Sequence, residues 1–351
     1  MSVLAQGAGR TAVFRGGAVS LRVERRSVVV TALLGVVTVG SLLAALLLGY
    51  YTVSIDQVVR AVFSEGTPAE EYIISDLRLP RALTALMVGA ALAMSGAIFQ
   101  TLTRNPLGSP DVIGFDTGAA TGALVVMLML GGSGVLTSVG AGAGGAITAA
   151  VVYLLAMHRG SNGFRLVLMG IGVGALLLSV NHFLITRSTL YDAQSAAVWL
   201  IGNLAGRGWG HVQLLAPALL VLSVLALRMS RDLRMGELSD DSAAALGLSI
   251  ERSRVLCVAI GVGLAGVAVA AAGPIAFIAL PSPQIARRLT KVPGPNLVPS
   301  ALVGASLLCL ADLAGRELFV PRQVPVGVLT GVVGGLYLVW LLTREWRKDR
   351  R

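Results

Sequence analysis

Charged residues are scarce in this sequence: they make up 13% of its 351 residues, whereas hydrophobic residues make up 55%. Soluble globular domains usually carry about 25% charged residues, so the composition excludes an ordinary soluble fold. A lipid bilayer accommodates such a chain, because the lipid tails replace the protein core as the apolar solvent. The composition therefore indicates an integral membrane protein.

Lysine, histidine and cysteine are also rare, which limits the chemistry that the chain can perform. A phosphate-binding loop needs the sequence Gly-Lys-Ser/Thr, and neither of the two lysines, Lys291 and Lys348, follows a glycine. The three histidines are scattered, and no Ser–His–Asp or metal-ligand spacing is present. We therefore expect no nucleotide, metal or catalytic site in this chain, and we interpret Cys257 and Cys309 as buried hydrophobic residues.

Aromatic residues amount to only 5%, and the apolar runs do not alternate in polarity, which argues against an outer-membrane barrel. The 43 glycines, including the spaced pairs Gly118/Gly122 and Gly140/Gly144, predict close packing between helices of one chain. A membrane span needs about 20 apolar residues. The sequence predicts an all-α polytopic membrane protein with ten such helices, at 28–50, 81–101, 112–131, 134–156, 165–186, 211–229, 253–272, 275–290, 297–315 and 324–343. A shorter apolar segment, 194–206, is interpreted as a re-entrant or interfacial helix.

Most lysines and arginines fall in the segments on the same side of the membrane as the N-terminus. Because cytoplasmic segments are enriched in positive charge, both termini are predicted to lie in the cytoplasm. The expected organisation is a cytoplasmic tail at 1–27, one transmembrane domain at 28–343 and a second cytoplasmic tail at 344–351.

The segment 235–254 between the sixth and seventh spans contains the signals of a short helix. A serine can cap it, two aspartates lie at its positive N-terminal end, and a glycine can end it in a left-handed turn. Alanines and a leucine give it a small apolar face. The segment alone suits either a projection that enters a groove on a partner protein or an ordinary interfacial loop. Its candidate docking residues are Ser239, Asp240, Asp241, Ala244, Leu246 and Gly247.

Three groups of motifs resemble one known family. They are Arg78–Arg81, Gly89–Gly96, Gln100, Arg104–Asp111 and Gly114; Gly273–Leu280 and Pro283–Leu289; and Ala311–Asp312 and Val324–Thr330. Together they resemble the FecCD permeases of iron-siderophore, haem and cobalamin ABC importers, over about residues 35–345. The resemblance implies the type II importer fold, with about ten helices per subunit and two such subunits lining a central pathway.

The resemblance also implies partners. Two separate ATPase subunits would bind ATP and magnesium, so this chain would need no cofactor, and an extracytoplasmic binding protein would deliver the cargo. Many members have His where this chain has Gln284, and glutamine there resembles subunits that pair with a non-identical permease. We therefore expect a heterodimer, with a homodimer as the alternative, in a bacterial cytoplasmic membrane. The expected cargo is a ferric siderophore, with haem or cobalamin as alternatives.

Three sets of residues receive roles from the resemblance. The segment at about 238–248 resembles the family's coupling helix, which seats in the ATPase. The loop after the fourth span resembles the cytoplasmic gate, at Ser161, Asn162 and Gly163. Outer arginines would contact acidic residues of the binding protein, and the candidates are Arg60, Arg78, Arg81 and Arg322. Arg60 and Arg322 are preferred, because the other two can instead anchor the second span at the interface.

Two other classes of protein remain as alternatives: a secondary transporter driven by protons or sodium, and a scaffold or channel subunit. An ion-driven transporter would need carboxylates buried in several spans. Asp312 is the one candidate for such a carboxylate, and Arg316 follows it by one helical turn. A structural ion pair between these two residues is therefore favoured over an ion relay.

Overall fold

The computed structural model describes residues 2–3, 11–16, 19–49, 51–111, 114–132, 134–157, 163–319 and 323–349. A three-stranded antiparallel sheet precedes the first helix, in a tail to which the sequence analysis assigned no secondary structure. Its strands are β1 (Ser2–Val3), β2 (Thr11–Gly16) and β3 (Val19–Glu24).

Helices make up most of the described chain. Their bounds are α1 Arg25–Leu47, α2 Ile55–Val62, α3 Pro68–Glu71, α4 Leu79–Thr103, α5 Phe115–Leu124, α6 Val135–Met157, α7 Gly163–Arg187, α8 Leu190–Leu200, α9 Trp209–Arg228, α10 Ser230–Gly236, α11 Asp240–Ala245, α12 Ile250–Ala272, α13 Pro281–Thr290, α14 Leu297–Glu317 and α15 Val326–Asp349. Two π-helical stretches, Tyr72–Arg78 and Val125–Met129, lead into α4 and extend α5.

Among the described residues, seven helices are long and apolar enough to cross a membrane: α1, α4, α6, α7, α9, α12 and α14. Two shorter apolar helices, Phe115–Met129 and Val326–Trp340, match the third and tenth predicted spans. The helix α13 matches the eighth. Each of the ten predicted spans therefore has a helical counterpart in the structure.

The predicted bounds of the eighth span were wrong, because α13 begins at Pro281 and not at residue 275. Gly273 and Phe277 both have positive φ angles, of 74° and 66°, and Pro274 has no N–H to donate. This break keeps residues 273–280 out of a helix. The predicted helix at 194–206 was also misplaced, since α8 spans Leu190–Leu200 and the chain turns after it.

Glycines allow the spans to approach each other at backbone distance. A Cβ on Gly89 would meet the backbone of Gly304 in α14, and a Cβ on Gly122 would meet the backbone of Gly140 in α6. These contacts confirm the prediction that the spaced glycines pack helices of one chain together. As a result, α4 is almost completely enclosed, between α1, α9, α12 and α14.

Candidate functional site

The helix α11 (Asp240–Ala245) is the short helix predicted between the sixth and seventh spans. Ser239 caps it by accepting a hydrogen bond from a backbone N–H in the first turn. Asp240 and Asp241 occupy that first turn, where the helix dipole favours negative charge. Gly247, with φ 85°, ends the helical turn. The helix, its cap and its stop are therefore as predicted, and its docking role stays a prediction.

The apolar side chains of α11 point in two directions. Ala243 is buried against the protein body, with 1% of its surface exposed. Leu246, directly after the helix, is 61% exposed, and Leu238, before it, is 45% exposed. Ala244 is exposed as well. The helix thus rests on the membrane domain through one small residue and presents leucines outward, as a surface that binds another protein does.

Asp240 ties α11 to two membrane spans. Arg104, which follows α4, donates a hydrogen bond to Asp240 Oδ1 at 2.6 Å, and Arg254 in α12 lies 3.4 Å from Oδ2. Arg104 also donates to the backbone oxygen of Gly236, at 3.0 Å. The hydrogen bond from Arg104 is the main cause of the lowered pKa of Asp240. Asp240 therefore connects α11 to the end of α4 and to the N-terminal part of α12.

The loop after α4 is held by its own side chains and by α13. The Oδ1 of Asn105 accepts a hydrogen bond from the backbone N–H of Leu107 at 2.9 Å, which holds this turn. The side chain of Asp111, at the other end of the loop, lies close to Asp116 and to the backbone of Phe277. This contact joins the loop to the break before α13.

Gln284 of α13 fixes the same loop from the other side. Its Nε2 donates to the backbone oxygen of Pro106 at 2.7 Å, and its Oε1 accepts from the hydroxyl of Tyr337 in α15 at 3.1 Å. The side chain is buried and bonded at both ends of its amide. Gln284 therefore joins α13 and α15 to the loop that carries Arg104.

The predicted cytoplasmic gate lies largely outside the described residues. Ser161 and Asn162 are outside the described residues, and Gly163 is the first residue of α7. Its role as a gate stays a prediction.

The four outer arginines have different surroundings. Arg60 is exposed on α2 and pairs with Asp56 at 2.9 Å. Arg78 is buried and donates to the backbone oxygens of Leu46, at 2.7 Å, and Tyr51, so it ties the π-helical stretch to the last turn of α1 and to the chain after it. Arg322 lies outside the described residues.

Arg81, the remaining candidate, belongs to a buried ion-pair cluster. Its Nη2 donates to Asp312 Oδ1 at 2.9 Å and its Nε donates to Oδ2 at 3.0 Å, and Arg316 lies 3.4 Å from the same carboxylate. The predicted pair between Asp312 and Arg316 is confirmed, and Arg81 joins it. Asp116, in the first turn of α5, is a further carboxylate within a predicted span. It was overlooked as a candidate in the sequence.

Comparison with known proteins shows that this chain is similar to membrane transporters. The model of the FecCD transport family matches residues 36–344. The ferric enterobactin transport system permease protein FepG of Escherichia coli (strain K12) is 44% identical over 300 residues, which cover 86% of this chain and 91% of that protein. The Fe(3+)-citrate import system permease protein YfmE of Bacillus subtilis (strain 168) is 37% identical over 330 residues, covering 93% and 98%. A solved structure of a metal-chelate type ABC transporter, in an inward-facing conformation, has a TM-score of 0.81 and 28% identity, covering 90% and 99%.

Proposed function

The chain belongs to the FecCD transport family, and we propose that it is the permease subunit through which a bacterial ABC importer carries ferric siderophores across the cytoplasmic membrane. The observation that carries this proposal is the capped helix α11, which presents Leu246 outward while Asp240 ties it to α4 and α12. Relatives that transport ferric enterobactin and ferric citrate support a ferric chelate as the cargo. They favour it over haem or cobalamin.

The energy for transport comes from other subunits. The sequence contains no Gly-Lys-Ser/Thr motif, so two partner ATPases bind ATP and magnesium and hydrolyse the nucleotide. Each ATPase receives a coupling helix in a surface groove, and α11 has the exposed apolar tip that such a groove requires. In this arrangement both termini and α11 lie in the cytoplasm.

Movement of α11 switches the side of the membrane that the pathway faces. When the ATPases close on ATP, α11 shifts, and the contacts of Asp240 with Arg104 and Arg254 carry the shift to α4 and α12. Because α4 approaches α14 at backbone distance and packs its side chains against α12, it moves together with them as one body.

A second, non-identical permease completes the pathway, as the glutamine at position 284 suggests. An extracytoplasmic binding protein delivers the cargo, and Arg60 is the outer arginine best placed to meet its acidic residues, because Arg78 and Arg81 are engaged within the chain. Arg322 remains the second candidate for this contact. Few charged side chains lie in the spans, so recognition of the cargo rests mainly with the binding protein.

Substitution of Leu246 by aspartate tests the docking role of α11. We expect the Leu246→Asp variant to lose the ATPase on purification and to lose uptake of radioactive iron from a panel of ferric chelates, because a charge replaces the apolar tip. The same substitution at Leu318, which is 73% exposed beyond α14, is the matched control and should retain the ATPase. Normal uptake by Leu246→Asp would exclude docking through α11. If a strain without the ATPase still took up iron, and a protonophore abolished that uptake, the result would indicate the ion-driven alternative.

A further inference from the structure

An apolar cavity of about 290 Å³ lies between α6, α9 and α12, at the ends of α9 and α12 that are remote from α11. The first turns of α6 and α9 form its walls and the last turns of α12 form its floor. Its lining includes Val135, Leu214, Leu215, Val267 and Ala271. The hydroxyl of Ser138 also lines it, but this hydroxyl donates to the backbone oxygen of Ala270 at 2.6 Å and is therefore satisfied.

The size and the lining of this cavity suit a hydrocarbon chain. An apolar protein cavity of roughly 150 Å³ already takes up benzene and stays free of water. This cavity is larger, and its walls offer no free polar group except at the mouth. Water gains little from entering such a space, whereas an acyl chain gains contact with every wall.

The mouth of the cavity carries a positive charge. His211 lines the cavity, and its Nε2 lies 3.0 Å from a guanidinium nitrogen of Arg207. Since the guanidinium can only donate, the histidine accepts in this contact. No carboxylate in the described ranges forms an ion pair with Arg207. A partly buried arginine without a counter-charge attracts an anion.

The neighbouring tryptophan places this mouth at the level of the lipid headgroups. Trp209 begins α9, is 39% exposed, and donates its indole N–H to the backbone oxygen of Ser75 at 2.9 Å. Tryptophan concentrates at the membrane–water interface, where its ring is apolar and its N–H is polar. Arg207, two residues before it, therefore reaches the depth of lipid phosphates, and the cavity opens below that depth.

From the apolar cavity, the interfacial Trp209 and Arg207, which has no carboxylate partner among the described residues, we propose that this chain binds an anionic phospholipid in the leaflet remote from α11. One acyl chain fills the cavity between α6, α9 and α12, and the phosphate lies against Arg207 and His211. The lipid would occupy the gap between α6 and α9, against the last turns of α12.

Native mass spectrometry of the assembled transporter tests this proposal independently of transport. The complex is stripped of lipid in detergent and then titrated with phosphatidylglycerol or with phosphatidylcholine that carries the same acyl chains. We expect the wild type to retain phosphatidylglycerol in preference to phosphatidylcholine. Arg207→Gln should lower phosphatidylglycerol retention by about tenfold, the effect of one lost charge-assisted contact, and leave phosphatidylcholine unchanged.

A second variant tests the cavity itself. A Cβ at Gly210 would meet no atom within 4 Å, so the leucine of Gly210→Leu fills the cavity without a backbone clash and should abolish retention of both lipids. Two variants are the matched controls. Gly142→Leu has similar open space on α6 but lies outside the cavity. Arg187→Gln removes an arginine that lies over the ring of Phe183. Three results would each overturn the proposal. They are equal retention of lipid by the wild type and Gly210→Leu, equal binding of phosphatidylglycerol and phosphatidylcholine by the wild type, and no lipid retained by the wild type.

Discussion

Asp312 illustrates how single residues hold charge inside this membrane domain. Its carboxylate is 4% exposed and is neutralised by Arg316, one turn later in α14, and by Arg81 of α4. The partner in the same helix could be predicted from the sequence, because residues four apart share a helical face. Arg81 could not, since it lies 231 residues away and only the packing of α4 on α14 brings it close. Arg78 and Arg81 were candidates for contact with a binding protein for the same reason: their burial is invisible in the sequence.

Replacement of Asp312 should destabilise the protein strongly. In Asp312→Asn the two arginines remain buried without a counter-charge, and breaking a buried pair in this way costs about 3–5 kcal/mol. Thermal unfolding of the detergent-solubilised protein, followed by its fluorescence, measures the change.

Asp56→Asn supplies the contrast for that measurement. It breaks the pair between Asp56 and Arg60, which is exposed on both sides and worth only about 0–1 kcal/mol. Similar melting temperatures for the two variants would show that the cluster around Asp312 does not stabilise the fold.

At the scale of elements, long apolar runs were predicted well and short helices were not. The hydrophobic runs located ten helical segments, because each must satisfy its backbone within lipid. The helix α2 was missed, since its eight residues give no long run, although Ser54 and Gln57 form a capping box that could have revealed it. The true start of α13 depends on the left-handed backbone of Phe277. A bulky residue rarely adopts that conformation, so no sequence rule indicates it.

The contact between α11 and α4 yields a prediction at this scale. In Asp240→Asn the ion pairs with Arg104 and Arg254 are lost, while Leu246 is still available to the ATPase. We expect the ATPase to copurify normally and iron uptake to fall roughly fivefold, which corresponds to about 1 kcal/mol, the upper value for an exposed pair. Because the pKa of Asp240 is lowered, the ion pair persists at neutral pH and is lost only as the pH falls through that lowered pKa.

Glu251→Gln is the matched control, because Glu251 is an exposed carboxylate in the first turn of α12 and forms no ion pair within the described ranges. It should transport like the wild type. If both variants lose uptake equally, negative charge on this surface matters rather than the connection to α4.

At the scale of the whole molecule, the sequence established more about the family than about the assembly. Composition and spaced motifs were enough for the membrane class and the FecCD resemblance, which the family match confirms. The proposed partner permease, ATPases and binding protein would be other polypeptides, and their contact surfaces depend on side chains that this sequence does not contain. Asp116 shows a further limit: it lies inside the predicted span 112–131, but only the helix start at Phe115 locates it in the first turn of α5.

The location of α11 on the cytoplasmic side is the claim on which the transport mechanism depends. The native cysteines, Cys257 and Cys309, are both buried, so a Leu246→Cys variant offers one exposed thiol to a membrane-impermeant maleimide. The account predicts labelling in inverted membrane vesicles, protection by the bound ATPase, and no labelling in intact spheroplasts. Labelling of residue 246 in intact spheroplasts would place α11 outside the cell and contradict the account.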